Sequence, residues 1–395
     1  MNFEDLNDTL LETFESFDNH EQVRKFNLDG DITAYIAIHN TNLGPSLGGA
    51  RMCPYASDRE AINDVLRLSR GMTYKNAMAG LPLGGGKAVI IGNPFEDKTM
   101  ALMEAMGQAV ESLEGEYITA EDSGTGEKDM VAIARHTEHV TGLPPEMLKG
   151  KGFGELGGNP SPLTALGVYR GIQSAAALRY GKEDLRGLSV AVQGVGAVGV
   201  ELCKLLQQDG VRIIAADVND KMLAEAQESL APFTIVSPNE IYGVKADIFA
   251  PCAMGGVLND DTIPQLQVDI VAGASNNQLL ATYHDKMLAD MNILYVPDYV
   301  INAGGVICVG YEYFRKSDYN PLDFEITRER MISHVENIGQ NVKDVLEYAQ
   351  GHNLHPGEAA DKLAEEKFLN GEALRDSSSE PPASFGSAGG MTLVQ

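Results

Sequence analysis

Gln193-Gly194-Val195-Gly196-Ala197-Val198-Gly199 is the stretch on which the fold of this chain turns. An apolar run, Leu188-Ser189-Val190-Ala191-Val192, leads into it. A helix-forming segment, Val200-Glu201-Leu202-Cys203-Lys204-Leu205-Leu206, leads out of it. A second apolar run, Val211 to Ala216, then ends on Asp217. The order is strand, glycine turn, helix, strand, acid. In such a unit Gly194 permits the tight turn, Gly196 lets the backbone approach a pyrophosphate, and Gly199 lets helix and strand pack closely. The helix opens at Ala197 and Val198, and its N-terminus offers unpaired N–H groups to phosphate oxygens. Asp217 lies 18 residues past Gly199, about where an acid binds the adenosine ribose hydroxyls. A carboxylate there repels a 2′-phosphate, so NAD is expected in preference to NADP.

Helix and strand continue to alternate on both sides of this unit. Upstream, a helix is expected from Ser161 to Tyr180. Downstream, strands are expected at Ala246–Phe249, Val268–Ala272 and Ile293–Pro297. Alternation of this kind predicts a doubly wound parallel sheet. The first part of the chain is α/β by itself. It has strands at Thr33–His39, Ala88–Gly92 and Tyr117–Ala120, and helices at Glu4–Asp18, Arg59–Ala77 and Met100–Leu113. Between the two parts, Leu148 to Pro160 is glycine-rich and aperiodic, a linker or a loop near the cleft. Phe324 to Tyr348 reads as one long amphipathic helix, with Ile326, Met331, Val335, Ile338, Val342 and Val345 along its stripe. A last helix follows from about Gly357 to Leu369. Asp376 to Gln395 is Ser/Pro/Gly-rich and reads as disordered.

At 395 residues the chain has room for two domains with separate cores. Its net charge of −26 argues against nucleic acid or an anionic membrane as partner. Cys53, Cys203, Cys252 and Cys308 fit no metal or CxxC spacing, so no metal site is expected. The acidic start, Met1-Asn2-Phe3-Glu4-Asp5, lacks the look of a signal peptide, and no apolar run is long enough to cross a bilayer. A reduced, cytoplasmic setting is expected.

Two lysines stand twelve residues apart, in Gly71-Met72-Thr73-Tyr74-Lys75 and Leu83-Gly84-Gly85-Gly86-Lys87. The second precedes an apolar strand. Burial there would lower the pKa of its ammonium and let it act as a base. Spacing alone leaves open a plain loop lysine. Thr119-Ala120-Glu121-Asp122 ends a strand. Its two acids point opposite ways, so at most one faces a site. Asp122 there is a proton donor, or an Asx turn or helix cap. Gly273-Ala274-Ser275-Asn276-Asn277-Gln278 and Asp298-Tyr299-Val300-Ile301-Asn302-Ala303-Gly304-Gly305 end two later strands, at a cofactor cleft or as ordinary turns.

Taken together, these motifs resemble the Glu/Leu/Phe/Val dehydrogenase family of amino-acid dehydrogenases, closest to its leucine branch. Gly44 to Met52, Asn159 to Ala165, Ser275 to Gln278 and Pro297 to Val306 complete the set, and the likeness spans roughly residues 30 to 370. The resemblance implies an N-terminal α/β substrate and oligomerisation domain (residues 1–148 with 330–375). It implies a Rossmann NAD-binding domain (149–329), with a cleft between the two. It implies that Lys75 binds the substrate carboxylate, that Lys87 handles the attacking water and that Asp122 shuttles a proton to and from the amino nitrogen. Asn277 would position substrate and nicotinamide, and Thr164 would bond the nicotinamide amide. Asn276 and Asn302 fall on the cofactor side, and Gly48, Gly49 and Met72 on the substrate side.

The implied side-chain pocket is Leu47, Ala120, Val306 and Val309. Glutamate-specific relatives carry a lysine and a serine matching Leu47 and Val309, so an aliphatic side chain is expected instead: leucine, valine or isoleucine. The products are a 2-oxo acid and ammonium. The family forms symmetric homo-oligomers, and a dimer or an octamer is expected. A phenylalanine or tryptophan dehydrogenase is the alternative within the family. A non-catalytic dinucleotide sensor is the alternative outside it, and intact Lys75, Lys87 and Asp122 argue against that. Ser123 to Glu127, the longer Leu143–Gly158 segment and the tail after Leu374 depart from the family pattern.

Overall fold

The apolar run before the glycine turn forms strand β7 (Ser189–Gln193), and the run before Asp217 forms β8 (Arg212–Ala216). With β9 (Thr234–Ile235), β10 (Ile248–Pro251), β11 (Ile270–Val271) and β12 (Leu294–Tyr295) they make a six-stranded sheet of order β12-β11-β10-β7-β8-β9. Every pairing in it is parallel. Counted from β7, the strands lie in the order 3-2-1-4-5-6 of a dinucleotide-binding sheet. The reversal between β7 and β10 opens a crevice at their C-terminal ends, and the Gly194 turn sits there. This is a computed structural model. It describes residues 3–370 apart from 12, 30–31, 149–155, 157, 318–319 and 323. Most of the glycine-rich Leu148–Pro160 stretch and all of Asp376–Gln395 therefore lie outside the described residues.

The first part builds a second six-stranded sheet, order β1-β2-β3-β5-β4-β6. Its strands are β1 (Glu4–Asp5), β2 (Gln22–Asn27), β3 (Thr33–Asn40), β4 (Ser46–Cys53), β5 (Gly84–Ile91) and β6 (Tyr117–Glu121). β4 runs parallel to both β5 and β6, whereas β3 is antiparallel to β5. The helix Asp58–Met78 covers β3 and β5. Ser57 caps it by accepting the Glu60 N–H, and it delivers Lys75 in its last turn.

The helix expected at Ser161–Tyr180 has those bounds, and Gly181 ends it in the left-handed conformation (φ 74°). Two other expectations need correction. Among the described residues, helix at Glu4–Asp18 is confined to Asn7–Leu11, because Glu4 and Asp5 pair with β2 and the Asn7 side chain bonds Glu21 and Val23 across the edge. The single helix expected over Phe324–Tyr348 is two, Arg328–Glu336 and Ile338–His352, divided at Asn337. The break lies where the chain is drawn against the Ser161–Tyr180 helix. Ser174 donates to the Gly339 carbonyl at 2.8 Å, and a side chain on Gly339 would crowd Arg170. The apolar stripe survives the break, and all six of its residues are buried.

The last helix, Pro356–Leu369, ties the two halves together. Phe368 packs edge-on to Tyr74 and His39, and Tyr74 donates to Glu365 at 2.7 Å. On the other side Tyr299 donates to Asp361, and the Gly357 N–H bonds Asp285. Among the described residues, no helix is long and apolar enough to cross a membrane.

Candidate active site

Strand register gathers the chemistry on the first sheet. Leu47 is abreast of Gly85 on β5, and Gly49 is abreast of Ala120 on β6. Side chains two apart on a strand share a face. Leu47, Gly49, Lys87, Ala120 and Asp122 therefore lie on one face. Lys87 is buried, and its Nζ stands 2.7 Å from Asp122 Oδ2. Gly49 makes that contact possible, since a Cβ there would lie 2.9 Å from the Asp122 Cβ. Gly48 is as constrained: a Cβ would collide with the Gly86 carbonyl and press Met72. Of the two adjacent acids, Glu121 is exposed and Asp122 turns inward to Lys87.

The electrostatics of the pair follow from its burial. Burial lowers the Lys87 pKa, and the Asp122 charge only partly opposes that. Burial alone would raise the Asp122 carboxyl. Lys87 and Arg51 outweigh it and hold that pKa below the ordinary value. Lys75, at the mouth of the same face, is pushed down to about 8 by burial, with Asp298 and Asp122 opposing and Lys87 reinforcing.

Lys75 also links the two sheets. Its Nζ donates to Asn276 Oδ1 at 3.3 Å, and Asn276 Oδ1 accepts in turn from Asn302 Nδ2 at 2.9 Å. Asn302 Oδ1 is buried without a partner. Asn277 is exposed, in the left-handed conformation (φ 50°), and its carbonyl accepts from Gly256. Thr164 lies in the first turn of the Ser161–Tyr180 helix. A Cβ on Gly305 would sit 3.0 Å from its hydroxyl, so it borders the turn that follows Asn302. Val306 and Val309 sit on the next helix, Gly304–Lys316, and belong with Leu47 to one apolar cluster. Thr141 donates to the Val309 carbonyl, and its own N–H bonds Thr119 on β6 beside Ala120.

The glycine turn has the shape of a phosphate cradle. Gly194 has φ 95°, and a Cβ on Gly199 would lie 2.0 Å from the Gly194 carbonyl. A Cβ on Gly196 would meet no protein atom, only the space in front of the turn. The helix from Ala197 starts on Gly196 without a side-chain cap, which leaves its first N–H groups to a ligand. Asp217 accepts from the Val195 and Asn219 N–H groups at 2.9 Å each, so it stands against the turn. These features fit a dinucleotide pyrophosphate with its ribose beside the acid.

Comparison with known proteins agrees with this geometry. Residues 20–139 match the model of the Glu/Leu/Phe/Val dehydrogenase dimerisation domain, and residues 218–371 match that of glutamate/leucine/phenylalanine/valine dehydrogenases. The chain belongs to the Glu/Leu/Phe/Val dehydrogenase family. It is an amino-acid dehydrogenase. A leucine dehydrogenase of Geobacillus stearothermophilus is 47% identical over 359 residues, 91% of this chain and 93% of that one. A phenylalanine dehydrogenase of Bacillus thermotolerans is 42% identical, over 90% of each chain. The crystal structure of L-tryptophan dehydrogenase from Nostoc punctiforme superimposes with a TM-score of 0.76 at 40% identity, covering 93% of this chain and 99% of that one.

Some residues of the candidate site carry no signal of a role in the sequence. Arg51, which bonds Asp122, and Asp298, whose charge acts on Lys75, stand in stretches whose spacing points to no role for them. Thr125 stands in the stretch that departs from the family pattern. It donates to the Ala50 carbonyl and accepts the Asp122 N–H, fixing the turn after β6.

Proposed function

We propose that this dehydrogenase oxidatively deaminates branched-chain L-amino acids with NAD, and runs the reverse reductive amination. The observation that carries the reading is the ion pair of buried Lys87 with half-buried Asp122, on the sheet face that also presents Leu47 and Ala120. In this mechanism Lys75 takes the substrate carboxylate as a fixed cation, and Asp122 receives a proton from the amino nitrogen. The nicotinamide supplies the hydride acceptor and nothing else. Loss of hydride from Cα leaves an iminium. Neutral Lys87 then takes a proton from water as the water adds to that carbon. The carbinolamine collapses, Asp122 returns a proton to the departing nitrogen, and a 2-oxo acid and ammonium result. Asn277 and Thr164 orient substrate and nicotinamide, with Asn276 and Asn302 behind them. Closure of the cleft excludes water from the hydride step.

Apolar Leu47, Ala120, Val306 and Val309 favour an aliphatic side chain, and the 47% identity to a leucine dehydrogenase supports the same choice. The four free thiols suit a reduced, cytoplasmic setting. Self-association through the first sheet's unit (residues 1–148 with 330–375 in our division, against 149–329 for the NAD unit) is supported by the dimerisation-domain match over residues 20–139. The test is reduced-nicotinamide absorbance with leucine, valine, isoleucine, phenylalanine, tryptophan and glutamate, each offered with NAD or NADP. Activity on the aliphatic trio with NAD is the expected result. Preference for an aromatic substrate moves the assignment to a phenylalanine or tryptophan dehydrogenase, and no turnover with any of them overturns it.

The cofactor choice has its own check. Asp217→Ala removes the ribose acceptor and is expected to raise the Kd for NAD about tenfold, the worth of a charge-assisted hydrogen bond. Equal NAD affinity in a fluorescence titration of the variant removes the ribose role.

A further inference from the structure

The proton-shuttling carboxylate has a second cation beside it. Arg51 Nε donates to Asp122 Oδ2 at 3.1 Å, the same oxygen that Lys87 meets at 2.7 Å. Arg51 is itself held from behind. Its Nη1 donates to Asp64 Oδ2 at 2.9 Å, and Asp64 also accepts from Tyr55 OH at 2.7 Å and from Arg67 at 2.9 Å. The register explains the meeting of residues 71 positions apart. Gly49 pairs with Ala120 and Ala50 with Glu121, so Arg51 comes abreast of Asp122 on the same face. Asp64 reaches it from the Asp58–Met78 helix that covers this face.

We propose that Arg51 is a positioning residue for proton transfer, a permanent cation that holds the Asp122 carboxylate in place whatever the charge on Lys87. The need for it comes from the reaction, so the inference rests on the amino-acid dehydrogenase reading. Lys87 must be neutral before the reaction begins, and in that starting state, where Asp122 must be ionised to receive the amino proton, the carboxylate lacks its nearest counter-charge. A half-buried carboxylate in this site with no cation would pick up a proton and could not receive one from the substrate. An arginine does not deprotonate in this range, whereas a lysine in its place would be open to the same downward shift as Lys87.

The charged and titratable groups around Asp122 are few. Lys87 comes from β5, Arg51 from β4 and Lys75 from the Asp58–Met78 helix, with the Tyr117 phenol on β6 and Asp64 behind Arg51. Removing the Arg51 charge acts on both members of the pair in one direction. It raises the Asp122 pKa, because a stabilising cation is lost. It also raises the Lys87 pKa, because a repelling cation is lost. Both changes delay the active state, neutral Lys87 beside ionised Asp122, to higher pH.

The test is the pH profile of kcat/KM for the wild type, Arg51→Gln, Arg51→Lys and Asp64→Asn, with leucine and NAD. In Arg51→Gln the acid limb is expected to move up by about one pH unit or more, so that activity lost near neutrality returns at alkaline pH. Arg51→Lys keeps a charge only while that lysine stays protonated, so it is expected to restore part of the limb and less than the arginine gives. Asp64→Asn leaves Arg51 untethered, lowering kcat with a smaller shift. An Arg51→Gln profile that coincides with the wild type after scaling gives Arg51 a structural role only and overturns the proposal. A second readout does not depend on turnover. The rate at which acetic anhydride acetylates Lys87, read by mass spectrometry across pH, is expected to have a higher midpoint in Arg51→Gln. If the wild type oxidises no amino acid yet that midpoint moves, the activity reading fails while the charge coupling stands. If the wild type is active and the midpoint does not move, the Arg51 proposal fails alone.

Discussion

Lys87→Ala is expected to lower kcat/KM for the amino acid by about a thousand-fold, within the range removed with a general base, and to leave NADH affinity unchanged. Lys87 is the buried basic group beside Asp122 on the face assigned to the substrate, and alanine cannot replace it in handling water. The fold should survive, because Arg51 remains 3.1 Å from Asp122 and the carboxylate is not orphaned. The glycine turn lies on the other sheet, so the dinucleotide keeps its cradle. Stopped-flow turnover and NADH fluorescence titration on one preparation separate the two effects. Loss of NADH binding along with turnover would mean a folding defect or a misassigned site.

The same geometry fixes the sign of the pH dependence. Burial lowers the Lys87 pKa, so its neutral form, and with it activity, grows as pH rises through that lowered value. Lys75 has the opposite requirement. It must be charged to hold a carboxylate, and in the ligand-free protein its pKa is pushed down to about 8. Above that pH the free enzyme loses its anchor, so KM for the amino acid should climb while kcat does not. Bound substrate supplies the missing anion and keeps the proton on Lys75. A KM that is flat across that range would remove Lys75 from carboxylate binding.

The nucleotide half was legible because its determinants are local. The Gly194–Gly199 turn, the flanking strands and Asp217 stand within one short stretch, and each glycine has a steric reason that can be read in order. The Ser161–Tyr180 helix was legible for the same reason, with Gly181 marking its end. β4 does not read as a strand in the sequence. Gly48 and Gly49 have no strand preference of their own, and Ser46–Cys53 is extended only because β5 and β6 bond it on both sides. Arg51 carries no local signal, because its partner is 71 residues away and only the register brings them abreast. The division of the long C-terminal helix was hidden as well. The stripe is continuous through Asn337, and the contact that accompanies the break, Ser174 on the Gly339 carbonyl, comes from another helix.

Glutamate is expected to be a poor substrate, with kcat/KM at least about a thousand-fold below that of leucine. Leu47 is buried on the Lys87 face, Val306 is buried on the Gly304–Lys316 helix, Ala120 is small and apolar, and Val309 packs on the same cluster. None of these side chains offers a donor or a cation. Placing the distal carboxylate among them costs several kcal/mol when unpaired, and about 4 kcal/mol already corresponds to three decades in rate. Discrimination among leucine, valine and isoleucine rests on one methylene or its placement, worth only about 1–3 kcal/mol, so these three should differ far less among themselves than from glutamate. The argument can be inverted in the protein. Leu47→Lys sets a cation on the pocket side of β4 and is expected to raise glutamate turnover while lowering that of leucine, since the buried ammonium then lacks a partner when an aliphatic side chain enters. Steady-state kcat/KM for both substrates on both proteins decides it. Wild-type protein that oxidised glutamate as readily as leucine would mean that the distal group is held by residues other than these four, and the pocket assignment would be wrong.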